Sequence, residues 1–160
     1  MNNDNSNPTR LKKPTTVVYA CSGCSDAGEI ADRVARQLTR DGVAQMSCLA
    51  GIGGRVKSLV MKAENAEHIL VVDGCPLNCA AHTLKLAGFQ KFDHVELHKI
   101  GIRKGSCPVN EERIMAGVTA AKAILANEMP AVFSDELAQI TPAERDIGET
   151  VQTPVKPVKN

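Results

Sequence analysis

The chain has 160 residues, with 19 Lys and Arg against 18 Asp and Glu, so its formal net charge is only +1. A surface built to neutralise many phosphates carries a clear basic excess, so general nucleic-acid binding is not expected. Hydrophobic residues make up 43%, but three Phe, one Tyr and no Trp leave an aliphatic core without stacking platforms for bases or sugars.

Residues 1–13 are polar and Asn-rich, and read as a disordered N-terminal tail. An α/β domain is expected over residues 14–126. Thr15 to Ala20 is a β-branched run ending at Cys21-Ser22-Gly23. Ala27, Ile30, Ala31, Val34 and Leu38 then recur at helical spacing, with Arg33, Arg36 and Arg40 on a solvated face. Asp41-Gly42 stops that helix. Ala44 to Leu49 predicts a second strand, and Gly51-Ile52-Gly53-Gly54 a glycine turn. Val56, Leu59, Val60 and Ala63 mark another helix, and His68 to Val72 a buried strand ending at Asp73-Gly74-Cys75-Pro76.

Pro76 suits a first helical position, followed by Leu77, Ala80, Ala81 and Leu84 on the buried face. Residues 94–102 read as a fourth strand. Asn110 can cap a last helix with Ile114, Val118, Ala121 and Leu125 inward. Residues 127–160 are expected to be a proline-containing extension, largely flexible. Thr141-Pro142-Ala143-Glu144 begins one helical turn there, and Phe133, Leu137 and Ile140 could dock it on the body. Strand and helix alternating in series predict a single-domain, mainly parallel Rossmann-like sheet with helices on both faces, whose ligands bind beyond the carboxyl ends of the strands.

That rule makes the six cysteines informative. The N-terminus lacks the apolar stretch of a signal peptide and no run approaches a membrane span, so a cytosolic, reduced protein without membrane contact is expected. Metal or thiol chemistry then explains the cysteines better than disulfides. Cys21, Cys48 and Cys75 recur every 27 residues: Cys21 closes the first strand, Cys48 lies near the end of the second, and Cys75 follows the third. Cys107 follows the fourth strand, Cys24 lies three residues after Cys21, and Cys79 lies four after Cys75, one helical turn away on the same face. Sulfurs around one zinc ion lie roughly 3.8 Å apart, with Zn–S near about 2.3 Å, and a shared rim can gather them. Cys21-x-x-Cys24 alone is a weak signal, and the spacing leaves open which four thiols bind.

Asp73-Gly74-Cys75-Pro76-Leu77-Asn78-Cys79-Ala80, with Cys21-Ser22-Gly23 and Cys48-Leu49-Ala50-Gly51-Ile52-Gly53-Gly54 upstream, resembles the DGC-domain family of zinc-binding proteins over residues 15–126. The resemblance implies four chelating cysteines, here Cys21, Cys48, Cys75 and Cys79. Cys24 and Cys107 depart from the family pattern, which leaves open a shifted ligand set or additional metal or redox thiols beside the ion. Some members of the family are associated with nitrogen-oxide respiration.

Gly51, Gly53 and Gly54, beside Arg55 and Lys57, form a secondary anion-binding candidate, although they match neither common phosphate-loop pattern. Asp73 is expected to cap a turn or helix behind the thiols, and His82 to stand next to the ligand set. His94 and His98 are set aside as a metal pair, because four residues of strand span about 13 Å. The expected function is a zinc protein with a structural, sensing or regulatory role, since a closed tetrathiolate leaves no position for hydrolytic water. Two alternatives remain. One is a thiol/disulfide redox enzyme or sulfur carrier using Cys21 and Cys24 or Cys75; the other is an iron–sulfur protein.

Overall fold

The structure is a computed structural model that describes residues 15–21 and 25–126. The polar N-terminal residues, Cys24 and the extension with Phe133, Leu137 and Ile140 lie outside the described residues.

Strand β1 (Thr16–Ala20) and strand β3 (His68–Asp73) are runs of β-branched and aliphatic residues buried almost throughout. That is the pattern of strands covered on both faces. They form the centre of a four-stranded parallel sheet of order β2-β1-β3-β4, with β2 (Gln45–Met46) and β4 (Asp93–Glu96) at its edges. Ala20 lies beside Val72, and Asp73 beside Glu96. The expected α/β parallel sheet is what the chain forms.

Helix α1 (Asp26–Arg40) buries Ala27, Ile30, Ala31, Val34, Ala35 and Leu38, and packs on helix α5 (Glu111–Leu125). Gly117 makes that approach possible, since a Cβ there would meet Val34 Cγ2 at 2.6 Å. On the opposite side of α1, Arg33 pairs with Glu29 at 2.8 Å and Arg36 with Asp32 at 2.6 Å, both exposed. Helix α2 (Leu49–Gly53) packs on α3 (Lys57–Glu64) and on α4 (Cys79–Leu86). The chain passes from β1 to β2 on one side and from β2 back past β1 to β3 on the other. Right-handed crossovers therefore place α1 and α2–α3 on opposite faces, and the strand order reverses between β1 and β3.

Four local expectations differ from the structure. The second strand is two residues long, because Cys48 turns the chain into α2, and the expected glycine turn is that short helix. Gly51 lies buried in it against Leu59. Helix α4 begins at Cys79 rather than Pro76, since Asn78 takes a left-handed conformation (φ 46°) that breaks any earlier turn. Cys75 is therefore in the loop before the helix, and does not share a helical face with Cys79. The fourth strand stops at Glu96 and becomes a 3-10 helix over Leu97–Ile100, which ends at Gly101 in the left-handed region.

Candidate metal centre

The carboxyl ends of three neighbouring strands each deliver a cysteine. Cys21 follows β1, Cys48 lies two residues beyond β2, and Cys75 two residues beyond β3. The middle position is the tightest. The Cys21 amide donates to the Val72 carbonyl at 2.9 Å, extending the ladder, and Cys21 Sγ accepts the Gly74 amide at 3.0 Å. Gly74 permits this because its backbone lies against α1; a Cβ there would stand 2.5 Å from the Ala27 carbonyl oxygen.

Burial pushes the Cys21 thiol up to about 11. The Gly74 amide works against that, while negative charge on Asp73, Cys75 and Cys79 adds to it. Cys21, Cys75 and Cys79 thus share one electrostatic neighbourhood. Cys48 acts instead on Tyr19, whose hydroxyl is pushed up by burial, drawn down by Ser47 and raised further by charge on Cys48. Cys48 is the N-cap of α2, and its sulfur accepts the Gly51 amide at 3.4 Å. Cys48 and Cys79 are exposed, Cys75 half-buried, and Cys21 buried. All four thiols are free.

Cys107 lies beside the start of α1. It is buried, its amide donates to Asp26 Oδ2 at 3.1 Å, and burial together with the Asp26 carboxylate raises its thiol. Asp26 also accepts the Gly105 amide at 2.9 Å, so the loop after the 3-10 helix is clamped to the start of α1. His82 is exposed on α4. Gly51 and Gly53 lie within α2 and Gly54 caps it, with the Gly51 amide on Cys48 Sγ and the Gly54 amide on the Ala50 carbonyl at 2.8 Å.

Asp73 is fully buried and spans the loop that carries Cys75. Its Oδ1 accepts the Ala80 amide at 2.9 Å and its Oδ2 the Ala81 amide at 3.0 Å, so the last residue of β3 caps α4. His94 Nε2 meets the same Oδ2 at 2.9 Å. Burial pushes the carboxyl up, but the His94 contact and the two amides outweigh it and hold Asp73 below the usual carboxylate range. Asn78 Nδ2 donates to Glu96 Oε1 at 3.0 Å, and Glu96 also pairs with Lys99. Residue-by-residue reading missed His94, Glu96 and Asn78. The available signal was the two-residue spacing of His94 and Glu96 along β4, which puts both on one face of the sheet.

Among the described residues, no three Cys, His, Asp or Glu side chains stand together as a bound ion would need. The donor chemistry nevertheless suits a soft divalent ion: four free thiols come from three adjacent loops, two of them with a backbone amide on sulfur.

The family model for the DGC domain matches residues 17–121. The chain is 42% identical over 91 residues, 57% of its own length and 70% of the relative's, to the "Anaerobic and virulence modulator AnvM" of Pseudomonas aeruginosa. No solved structure matches. The Asp-Gly-Cys motif at the end of β3, the cysteines at the two preceding strand ends and the span of the match make this chain a member of the DGC-domain family.

Proposed function

We propose that the chain is a zinc-binding regulatory protein of the cytosol in which Cys21, Cys48, Cys75 and Cys79 hold one ion as thiolates. The observation that carries this reading is the delivery of thiols to one rim by three adjacent strands, where the strand order reverses. When bound, the zinc would keep the thiols deprotonated and cross-link the loops that bear them. The buried Cys21 would hold it from the centre of the sheet edge, with the half-buried Cys75 and the exposed Cys48 and Cys79 as the other ligands. The Gly74 and Gly51 amides would continue to donate to sulfur and so offset part of the tetrathiolate charge.

Four thiolates close a zinc site to water, which favours a structural or sensing metal over a hydrolytic one. The word "modulator" in the name of the Pseudomonas relative supports a regulatory role. No helix among the described residues is long and apolar enough to cross a membrane. The word "anaerobic" in the same name favours a second reading, an oxygen-sensitive iron–sulfur centre on the same thiols.

Elemental analysis of protein purified without oxygen, with a free-thiol count, tests both. One zinc per colourless chain with four protected thiols is expected. Brown protein containing iron and sulfide would establish the cluster. Metal-free protein with a reversible disulfide would overturn both in favour of thiol chemistry at Cys21 and Cys24, or of a sulfur carrier at Cys75.

A further inference from the structure

The loop Gly74–Asn78 carries Cys75 and delivers Cys79 at its far end, and besides the Gly74 bond to Cys21 it is held by two residues of a strand about twenty residues later in sequence. At one end, the buried Asp73 carboxylate holds the Ala80 and Ala81 amides and is itself held by His94. At the other end, Asn78 is kept in its left-handed turn while its side-chain amide donates to Glu96. His94 and Glu96 are two residues apart on edge strand β4, hence on the same face.

We propose that His94 and Glu96 are positioning residues for the thiol site, His94 acting through Asp73 and Glu96 through Asn78 to set where Cys75 and Cys79 stand relative to Cys21. As far as it concerns metal affinity, this rests on the zinc reading above. The positioning itself does not. A fully buried carboxylate requires every partner it has, because an unmatched buried charge is far costlier than a satisfied one. Oδ2 of Asp73 is shared between the Ala81 amide and His94. Without His94 the carboxylate loses its one side-chain partner among these contacts, and reaches for water by releasing the first turn of α4. That first turn begins with Cys79. The loss therefore falls on Cys75 and Cys79, and leaves Cys48, on the other side of β1, where it was.

The experiment compares His94→Leu with His94→Gln, whose side-chain amide nitrogen reaches close to the place of Nε2, and Glu96→Ala with Glu96→Gln, which keeps the acceptor for Asn78. Two measurements are made on the full-length protein. The first is the iodoacetamide alkylation rate of each cysteine in metal-free protein, read by mass spectrometry. The Leu and Ala variants are expected to change the rates at Cys75 and Cys79 several-fold, leave Cys48 and Cys107 unmoved, and be rescued by the two Gln variants. The second is zinc competition against a chromophoric chelator. His94→Leu is expected to weaken zinc binding several-fold, with most of the loss recovered in His94→Gln.

Unchanged rates at Cys75 and Cys79 in both Leu and Ala variants would overturn the proposal. So would an equal rise at all cysteines, which reports general loosening, or Gln variants as impaired as Leu and Ala. Should the parent protein bind no zinc, the zinc reading fails, and the alkylation pattern still decides the positioning.

Discussion

Cys21 Sγ accepts the backbone amide of Gly74 at 3.0 Å, joining the end of β1 to the loop after β3 across 53 residues of sequence. The bond exists only because residue 74 has no side chain, and it ties the most buried thiol of the rim to the loop that carries two others.

Gly74→Ala is accordingly expected to be the costly glycine substitution. Its Cβ would meet backbone, the Ala27 carbonyl, which cannot turn aside; overpacking of this kind costs about 1–3 kcal/mol. Gly51→Ala would meet Leu59 Cδ1 at 2.0 Å, a closer clash on paper. That atom is the tip of a half-buried side chain that can rotate, so Gly51→Ala is expected to lose less. Urea unfolding of the two variants checks the order, and an equal loss would contradict it.

The ligand set is tested by three serine variants. Cys48→Ser is expected to surrender zinc under mild chelator competition, because three thiolates and a hydroxyl hold the ion much less firmly. Cys107→Ser is expected to keep it, since its thiol is engaged with Asp26, and Cys24→Ser should keep it nearly as well as the parent. X-ray absorption of each variant would count the sulfurs near about 2.3 Å. Retention by Cys48→Ser with loss in Cys24→Ser would replace Cys48 by Cys24 in the site.

Asp26 supplies a pH dependence whose sign is set by its partners. The Gly105, Cys107 and Ala27 amides hold its carboxyl down at about 2 in the folded chain. A carboxyl depressed on folding contributes stability that is complete above its unfolded pKa and is lost as pH falls through the folded value. Asp26→Asn should therefore be less stable than the parent at pH 6. The difference should shrink between the ordinary carboxylate range and about pH 2. Urea midpoints of both proteins at pH 6 and at the acid end measure it; a gap that widens in acid would reverse the assignment.

Asn110 is the N-cap of α5, with its side chain accepting the Arg113 amide at 3.0 Å. Asn110→Ala leaves that amide unpaired, and the expected loss is about 1 kcal/mol in a denaturant or thermal melt, with zinc content unchanged.

What the sequence by itself determined is what short-range physics controls. The continuous aliphatic runs specified β1 and β3 as strands buried on both faces, the helical spacing of Ala27 to Leu38 specified α1, and Asn110 specified the start of α5. The regular recurrence of cysteines at or near strand ends was enough to place Cys21, Cys48 and Cys75 at one edge of a parallel sheet. Tertiary structure decided what depends on partners distant in the chain. Pro76 is a good first helical residue, but α4 starts at Cys79, because the buried Asp73 carboxylate captures the Ala80 and Ala81 amides and Asn78 turns left-handed against Glu96. His94 looked interesting only for its spacing from His98. Its partner is Asp73 on the neighbouring strand, a contact created by the parallel register that sets β4 beside β3. Cys107 reads from the sequence as a thiol following the fourth strand, and its contact with Asp26 at the start of α1 is supplied by the fold. In the first two cases the buried Asp73 carboxylate had to be satisfied, and the groups able to satisfy it were supplied by other elements of the fold.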